Sequence, residues 1–281
     1  MSWKSYRVIF RLYSPLHIGW RKLGNLQQTR HYVTGKVLWG AFTARMTRDL
    51  PELGNYECVG ARVNNELAFS YFYPAVGERV NAWPWDDPDE FAWHYLGSYA
   101  STSLDYSRNA AEEGSLHETE FIAPTTREGK PVNLVGYIFE RTGCTLPWRS
   151  VLSKLQLGGE RGYGWGRVKL ANGPQKYDGK ALFGWRTDEK DGWPPVLIAG
   201  ENARLSAHAL ATEFAGRKPL QGVHGEIEPL VGRETIFAGR FGVNVSEARV
   251  CYSPGGKVAA GMKIRIGDYG IWEARRGTAE G

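Results

Sequence analysis

Cysteine is scarce. Three thiols, Cys58, Cys144 and Cys251, lie far apart in 281 residues. An odd number in a chain long enough to bury a sizeable core reads as reduced thiols of a cytosolic, cytoplasmic protein and not as a disulfide framework. No apolar run reaches 18 residues, so no segment reads as a membrane-spanning helix. The first residues, Met1-Ser-Trp-Lys-Ser-Tyr-Arg7, pass directly into an alternating pattern, so no signal peptide is expected. The motifs of several enzyme classes are also missing. Gly173…Gly179-Lys180-Ala181 has the wrong spacing for a phosphate-binding P-loop and no hydroxyl to hold Mg²⁺. Gly162-x-Gly164-x-Gly166 is not a dinucleotide fingerprint. G-x-S-x-G, C-x-x-C and H-E-x-x-H do not occur, which leaves no nucleophile elbow and no closed zinc site. His117-Glu-Thr-Glu120 is a poor ligand set, because alternate residues of a strand face opposite ways. No metal or cofactor is expected.

Acidic residues are nearly absent from the first 50 positions. Lys4, Arg7, Arg11, Arg21, Lys22, Arg30, Lys36, Arg45 and Arg48 face one acid, Asp49, giving +8, while the whole chain carries +5. The remainder is therefore −3. Such a block marks either a polyanion-binding surface or a solvated basic face.

Apolar residues make up 42% and charged residues 23%, the balance of a folded chain. Glycine (35) and tryptophan (11) are both frequent, which favours strands, tight turns and flat aromatic surfaces. Tyr6–Tyr13 alternates, with Val8, Phe10 and Leu12 on one face and Arg7 and Arg11 on the other, as a half-buried strand does. Residues 20–33 read as a polar, basic loop around Gly24-Asn25. Thr34 and Gly35 open a helix with Leu38, Ala41, Phe42 and Met46 at helical spacing, and Pro51 stops it. Residues 52–100 read as an aromatic-rich irregular insertion, with breakers at Trp83-Pro-Trp-Asp-Asp-Pro88. Their rings read either as a docking surface for a neighbouring subunit or as part of the chain's own core. Ser103–Arg108 and Leu116–Ile122, separated by a turn at Gly114, predict an extended β-hairpin arm with Arg108, His117 and Glu118 facing solvent. Val132–Glu140 is a strand, and Leu146–Leu155 a short helix entered through Pro147. Ala181–Trp185, Thr235–Asn244 and Lys263–Tyr269 read as strands of a β-rich C-terminal region. Two regions are expected, 1–170 (with the insertion and arm at about 52–121) and 171–281.

The densest signal is Leu157–Val168, with glycines at 158, 159, 162, 164 and 166. Arg161 and Arg167 supply planar charged forks, and Tyr163 and Trp165 can stack. Such a loop can lay N–H groups along a phosphate backbone. Trp165 is the better core candidate and Tyr163 the better RNA contact. His17 and His31 sit in the basic block, where an imidazole can act on a ribose hydroxyl, although structural roles are the commoner fate.

Four segments together resemble the repeat-associated mysterious protein (RAMP) superfamily of CRISPR–Cas proteins. They are the strand ending Ser14-Pro-Leu-His-Ile-Gly19, the helix entry Thr34–Phe42, the arm Ser103–Phe121, and the glycine loop Leu157–Arg167. Glu226–Arg233 and Gly239–Gly242 look like the C-terminal part of subunits of type III-D-like (or derived, type VII) systems. The resemblance implies an α+β fold with a ferredoxin-like, RRM-type core, on which RNA is held by aromatic stacking and by Arg and Lys on phosphates. Cleaving backbone subunits of the family carry an aspartate between strand 1 and helix 1, and Trp20–Val33 has no acid. The glycine loop also lies 115 residues from the C-terminus. Both features favour a non-catalytic subunit that caps the effector at the 5′ handle of the guide RNA. The alternatives are a non-cleaving backbone subunit or a metal-free repeat-processing endoribonuclease using His17 or His31. Expected partners are guide RNA, CRISPR backbone subunits and an effector nuclease subunit. The expected RNA contacts are Arg21, Lys22, Arg30, His31, Lys36, Arg45, Arg108, Gly158, Gly159, Arg161, Gly162, Tyr163, Gly164, Gly166 and Arg167. Asp105 is read as structural in the arm.

Overall fold

The computed structural model describes residues 3–82, 87–177, 182–188, 192–234 and 242–275. It is an α+β protein built on two antiparallel-rich sheets. β1 (Trp3–Leu12) leads into a hairpin of β2 (Gly19–Leu23) and β3 (Leu26–Thr29), where a loop was expected; Gly24, at φ 57°, makes its turn. α1 (Gly35–Asp49) is capped by the Thr34 side chain and buries Leu38, Ala41, Phe42 and Met46.

The 52–100 segment is more ordered than its composition indicated. Asn55 caps α2 (Tyr56–Glu66), whose Val59 and Val63 enter the core. β4 (Leu67–Phe69) and β5 (Tyr73–Val76) follow as a broken strand, with β6 (Arg79–Val80) at the sheet edge. α3 (Pro88–Tyr95) is capped by Asp87; Trp83 and Trp85 lie outside the described residues. The arm is two-tiered. β7 (Leu96–Ser101) pairs with β10 (His117–Ile122) as the stem, and β8 (Leu104–Asp105) pairs with β9 (Ala110–Ala111) near the tip. The partner of 117–122 is thus 96–101, not 103–108. Arg108 is exposed as expected, but His117 and Glu118 are half-buried, and His117 Nε2 lies 2.9 Å from Ser101 Oγ. β11 (Val132–Arg141), a 3-10 helix at Trp148–Lys154, β12 (Val168–Leu170) and β13 (Gln175–Lys176) complete this half.

The first sheet runs β12-β1-β11-β5-β6, with β4 also on β11 and β13 on β1. Alternation along its strands serves two cores. Val8, Phe10, Leu134 and Ile138 meet α1 and α2, and Gly136 sits where a Cβ would lie 2.2 Å from the Phe72 ring. The opposite face carries Tyr73, Tyr137 and Phe139, and a second sheet covers it. That sheet comprises β14 (Trp185–Asp188), β15 (Val196–Ala199), β16 (Ala209–Leu210), β17 (Ile227–Leu230), β20 (Arg249–Tyr252), β21 (Lys263–Ile266) and β22 (Trp272–Ala274), in the order β14-β15-β21-β22-β16-β20-β17. β18 (Arg233–Glu234) and β19 (Asn244–Val245) pair beyond β17 and β20. The strand expected over 235–244 falls mostly outside the described residues, as does Ala181 of the strand expected over 181–185. The aromatic sheet face is therefore core, not an open stacking platform. Phe69, Tyr71, Phe72, Tyr73, Phe91 and Tyr95 are likewise buried; Trp93 and Tyr99 remain about 60% exposed. The three cysteines are free.

Candidate nucleic-acid interface

The glycine loop is built to be pinned. Gly158 (φ 74°) and Gly166 (φ 73°) occupy left-handed backbone, and a Cβ would come within 2.3 Å of the His17 carbonyl oxygen and 1.8 Å of the Leu157 carbonyl oxygen respectively. Gly159 N–H donates to the His17 carbonyl at 2.8 Å, Gly166 N–H to Pro15 at 2.7 Å, and Arg167 N–H to Ser14 Oγ at 2.8 Å. Tyr163, Gly164 and Trp165 donate within the loop itself. The N–H groups of Gly159, Gly166 and Arg167 are thus committed to the segment that follows β1, and those of Tyr163, Gly164 and Trp165 to the loop itself, so these six do not line a phosphate backbone. His17 is buried, its Nδ1–H donating to the Glu120 carbonyl at 2.7 Å, so its ring and carbonyl hold the arm stem and the loop together.

Pinning the loop opens a cleft of about 700 Å³. Gly158, Gly159 and Arg161 form one side, and Thr34, Lys36, Val37 and Gly40 of α1 another. Tyr56, Gly60 and Asn64 form one row along α2, and 229–234, Arg249 and Tyr269 come from the C-terminal region. Trp39 closes against Gly60, donating Nε1–H to its carbonyl at 2.9 Å; a Cβ there would meet the indole at 2.6 Å. Trp39 in turn receives Tyr56 (5.8 Å, 82°) and Tyr269 (4.9 Å, 86°) edge-on. Lys36 Nζ stands 5.5 Å and the Arg249 guanidinium 4.9 Å from the Tyr269 ring centre. Burial pulls the Lys36 pKa down, and Glu234, 3.5 Å away, opposes this.

The structure thus brings Arg30, Lys36, Gly158, Gly159 and Arg161 to one cleft. Arg30 is there as a structural cation. It is buried, and Glu228 receives it at 2.8 and 3.0 Å. Burial opposes its charge, but the Glu228 hydrogen bonds and charge outweigh that and hold Arg30 firmly protonated. Glu228 also accepts from Trp20 Nε1 (3.1 Å) and Ser253 Oγ (3.1 Å) and lies 2.6 Å from His208 Nε2. Burial would raise its pKa, yet His208 and Arg30 hold it well below the carboxylate range. Burial lowers His208 to about 4.

The other expected contacts disperse. Arg21 lies over the Trp20 ring at 4.1 Å, beside exposed Lys22 on β2. His31 packs on Phe91 at 4.9 Å, and burial takes it down to about 4. Arg45 is bound to Asp49 at 2.7 Å. Arg108 stands on the arm, 3.5 Å from Asp105, whose carboxylate also receives the Ser107 N–H and hydroxyl. Gly162 and Arg167 are exposed, Tyr163 is 83% exposed, and Gly164 (φ 82°) ends the 3-10 turn of the loop. Trp165 packs edge-on against Phe121 at 5.1 Å. The aromatic floor Tyr56–Trp39–Tyr269 was missed. The Asn55 cap and the i, i+4, i+8 row Tyr56-Gly60-Asn64 were legible signals for its α2 part; nothing near Tyr269 in the sequence pointed to the cleft. Among the described residues, no three His, Cys, Asp or Glu side chains assemble as a metal site.

No protein-family model matches the sequence, and no curated protein does. Solved structures match at the level of shape. A chain of the Type III-B Cmr-beta bound to cognate target RNA and AMPPnP, state 1, superposes with TM-score 0.50 at 12% identity, covering 90% of this chain and 85% of that one. The chain shares its fold with that Cmr-beta subunit. Chains of Cmr-beta bound to cognate target RNA and in the apo state give TM-scores of 0.39 and 0.38 at 9% and 8% identity, over 59% of this chain and 96% of each. These two fall below the level at which a common fold follows. No helix among the described residues is long and apolar enough to cross a membrane.

Proposed function

We propose that this chain is a non-catalytic RNA-binding subunit of a CRISPR effector complex of the RAMP superfamily, seated at the 5′ handle of the guide RNA. The observation that carries the reading is the convergence of the glycine loop, Lys36 of the basic block and the aromatic floor on one cleft. Cations that pair with phosphate and rings that stack with bases are the two parts that single-strand recognition needs. The fold supports it. β1, α1, the β4–β5 strand, β11, the 148–154 helix and β12 follow in sequence, and their sheet order is fourth, first, third, second. We read that order as the ferredoxin-like core of the superfamily. The Cmr-beta likeness is consistent with it.

The subunit binds and does not cut: the segment between β1 and α1 holds no acid to carry a metal, and both histidines of the basic block are packed into the fold. It works in the cytoplasm with guide RNA and backbone subunits as partners. The arm, with exposed Leu104, Tyr106 and Leu116, reaches toward the neighbouring subunit. The test is a gel shift of the purified chain with single-stranded guide RNA that has or lacks the repeat-derived 5′ segment. Preferential binding of the RNA with the segment is expected. Equal affinity for both would remove the handle assignment, and a defined cut that persists in EDTA would replace it with the endoribonuclease reading.

A further inference from the structure

The C-terminal region covers the first sheet and also forms a wall of the cleft. Three features of that wall go beyond packing. First, Tyr269 adopts φ 60°, ψ 18°, a left-handed conformation uncommon for a bulky residue. It is held there by a close approach: at Gly35 a Cβ would lie 2.2 Å from the Tyr269 carbonyl oxygen, and at Gly270 2.6 Å from the Phe69 carbonyl oxygen. The turn is wedged between the first turn of α1 and β4, so its ring stands in the cleft and not in the core. Second, Arg249 lies between the Phe214 ring (4.8 Å) and the Tyr269 ring (4.9 Å), which fixes a guanidinium at the same wall. Third, Gly232 of the wall sits where a Cβ would touch Lys36 Nζ at 2.7 Å, so the wall closes directly on α1.

We propose that this wall turns the groove into a pocket for one unstacked nucleotide of the bound RNA. Its base lies against the Tyr56–Trp39–Tyr269 floor and its flanking phosphates lie on Lys36 and Arg249. This rests on the RNA-binding reading and deepens it. A volume of about 700 Å³ falls in the range of small-ligand pockets and is too confined for a duplex. Rings set edge-on around one indole offer a base both a face and edges to pack on. Two cations beside one ring repel each other, and a phosphate placed between them relieves that repulsion. Glu234, which pairs with Lys36 in the free protein, is displaced when the phosphate arrives.

The test uses the full chain and a single-stranded RNA, with 4-thiouridine placed at successive positions. Irradiation should crosslink one position to the 268–270 turn or to α2, located by mass spectrometry of the peptides. Tyr269→Gly removes the ring while relieving the positive φ, and it should weaken binding about 5- to 150-fold, as loss of one base stack does. Arg249→Gln should flatten the salt slope by about 0.7. If Tyr269→Gly binds RNA as tightly as the native chain while Arg161→Ala does not, RNA meets the glycine loop only and the pocket is wrong. If no variant changes binding and no crosslink forms, the RNA-binding reading itself fails. Should Tyr269→Gly not fold, the crosslink map on the native chain decides: crosslinks confined to 157–167 overturn the pocket.

Discussion

Glu228→Ala is the sharpest test of how the cleft is held together. This carboxylate joins two parts of the chain: Trp20 and Arg30 on the β1–α1 side, and His208 and Ser253 on the second sheet. Arg30 is 9% exposed and Glu228 19%, so the pair is screened little by water. Removing one member of such a pair costs about 3–5 kcal/mol, because the remaining charge stays buried without compensation. At about 2–4 °C per kcal/mol for a chain of this size, the melting temperature should fall by roughly 6–20 °C. Replacing both members together, Arg30→Met with Glu228→Leu, should recover most of the loss. Urea unfolding of the native chain, Arg30→Met, Glu228→Leu and the double variant closes the cycle. The native carboxylate titrates below its unfolded value, so its contribution is present above about pH 4.3 and is lost as pH falls through the lower folded pKa. The stability gap between native and Glu228→Ala protein should therefore narrow in strong acid. A loss under about 1 kcal/mol at pH 7, or a gap unchanged in acid, would refute the clamp.

Gly166→Ala should destabilise by more than about 2 kcal/mol, from left-handed backbone and a clash with the Leu157 carbonyl, while Gly162→Ala, in open space, should stay within about 0.5 kcal/mol; thermal melts separate them. Burial holds His31 and His208 neutral down to about pH 4, whereas the unfolded chain binds those protons near pH 6.5. Stability should thus fall as pH drops from 6.5 toward 4, by up to about 2 kcal/mol per histidine at pH 5, and His31→Phe should remove one share. Arg161→Ala should weaken RNA binding and flatten its salt slope by about 0.7 without lowering the melting temperature. Loss of stability with unchanged affinity would make Arg161 a structural residue.

The sequence disclosed its local chemistry better than its layers. Thr34, Pro51 and the spacing of Leu38, Phe42 and Met46 defined α1 because capping and periodicity act within a few residues. The glycine loop was found for the right reason, left-handed backbone and close approach, but its partner was misread, since nothing local shows that Pro15 and His17 receive its N–H groups. Charge counting named Arg30 as an RNA contact because Glu228 lies 198 residues away, and it named Arg45 because a net count does not pair a cation with the acid one helical turn on, Asp49. The aromatic stretch 67–75 serves two cores, a consequence of strand alternation between two covered faces that looks irregular in the sequence. Tyr269 and Arg249 reach the cleft only through long-range folding of the second sheet.

The central claim is electrostatic and aromatic capture of single-stranded RNA in the cleft, and the salt dependence of that binding tests it most directly. Lys36, Arg161, Arg233 and Arg249 line the cleft, Lys36 being paired with Glu234 in the free protein. With about four phosphates neutralised, log K against log salt should slope at roughly −3 for single-stranded RNA, and the slope should flatten in Lys36→Ala. A flat dependence, or a steep one that Lys36→Ala leaves unchanged, would contradict the account.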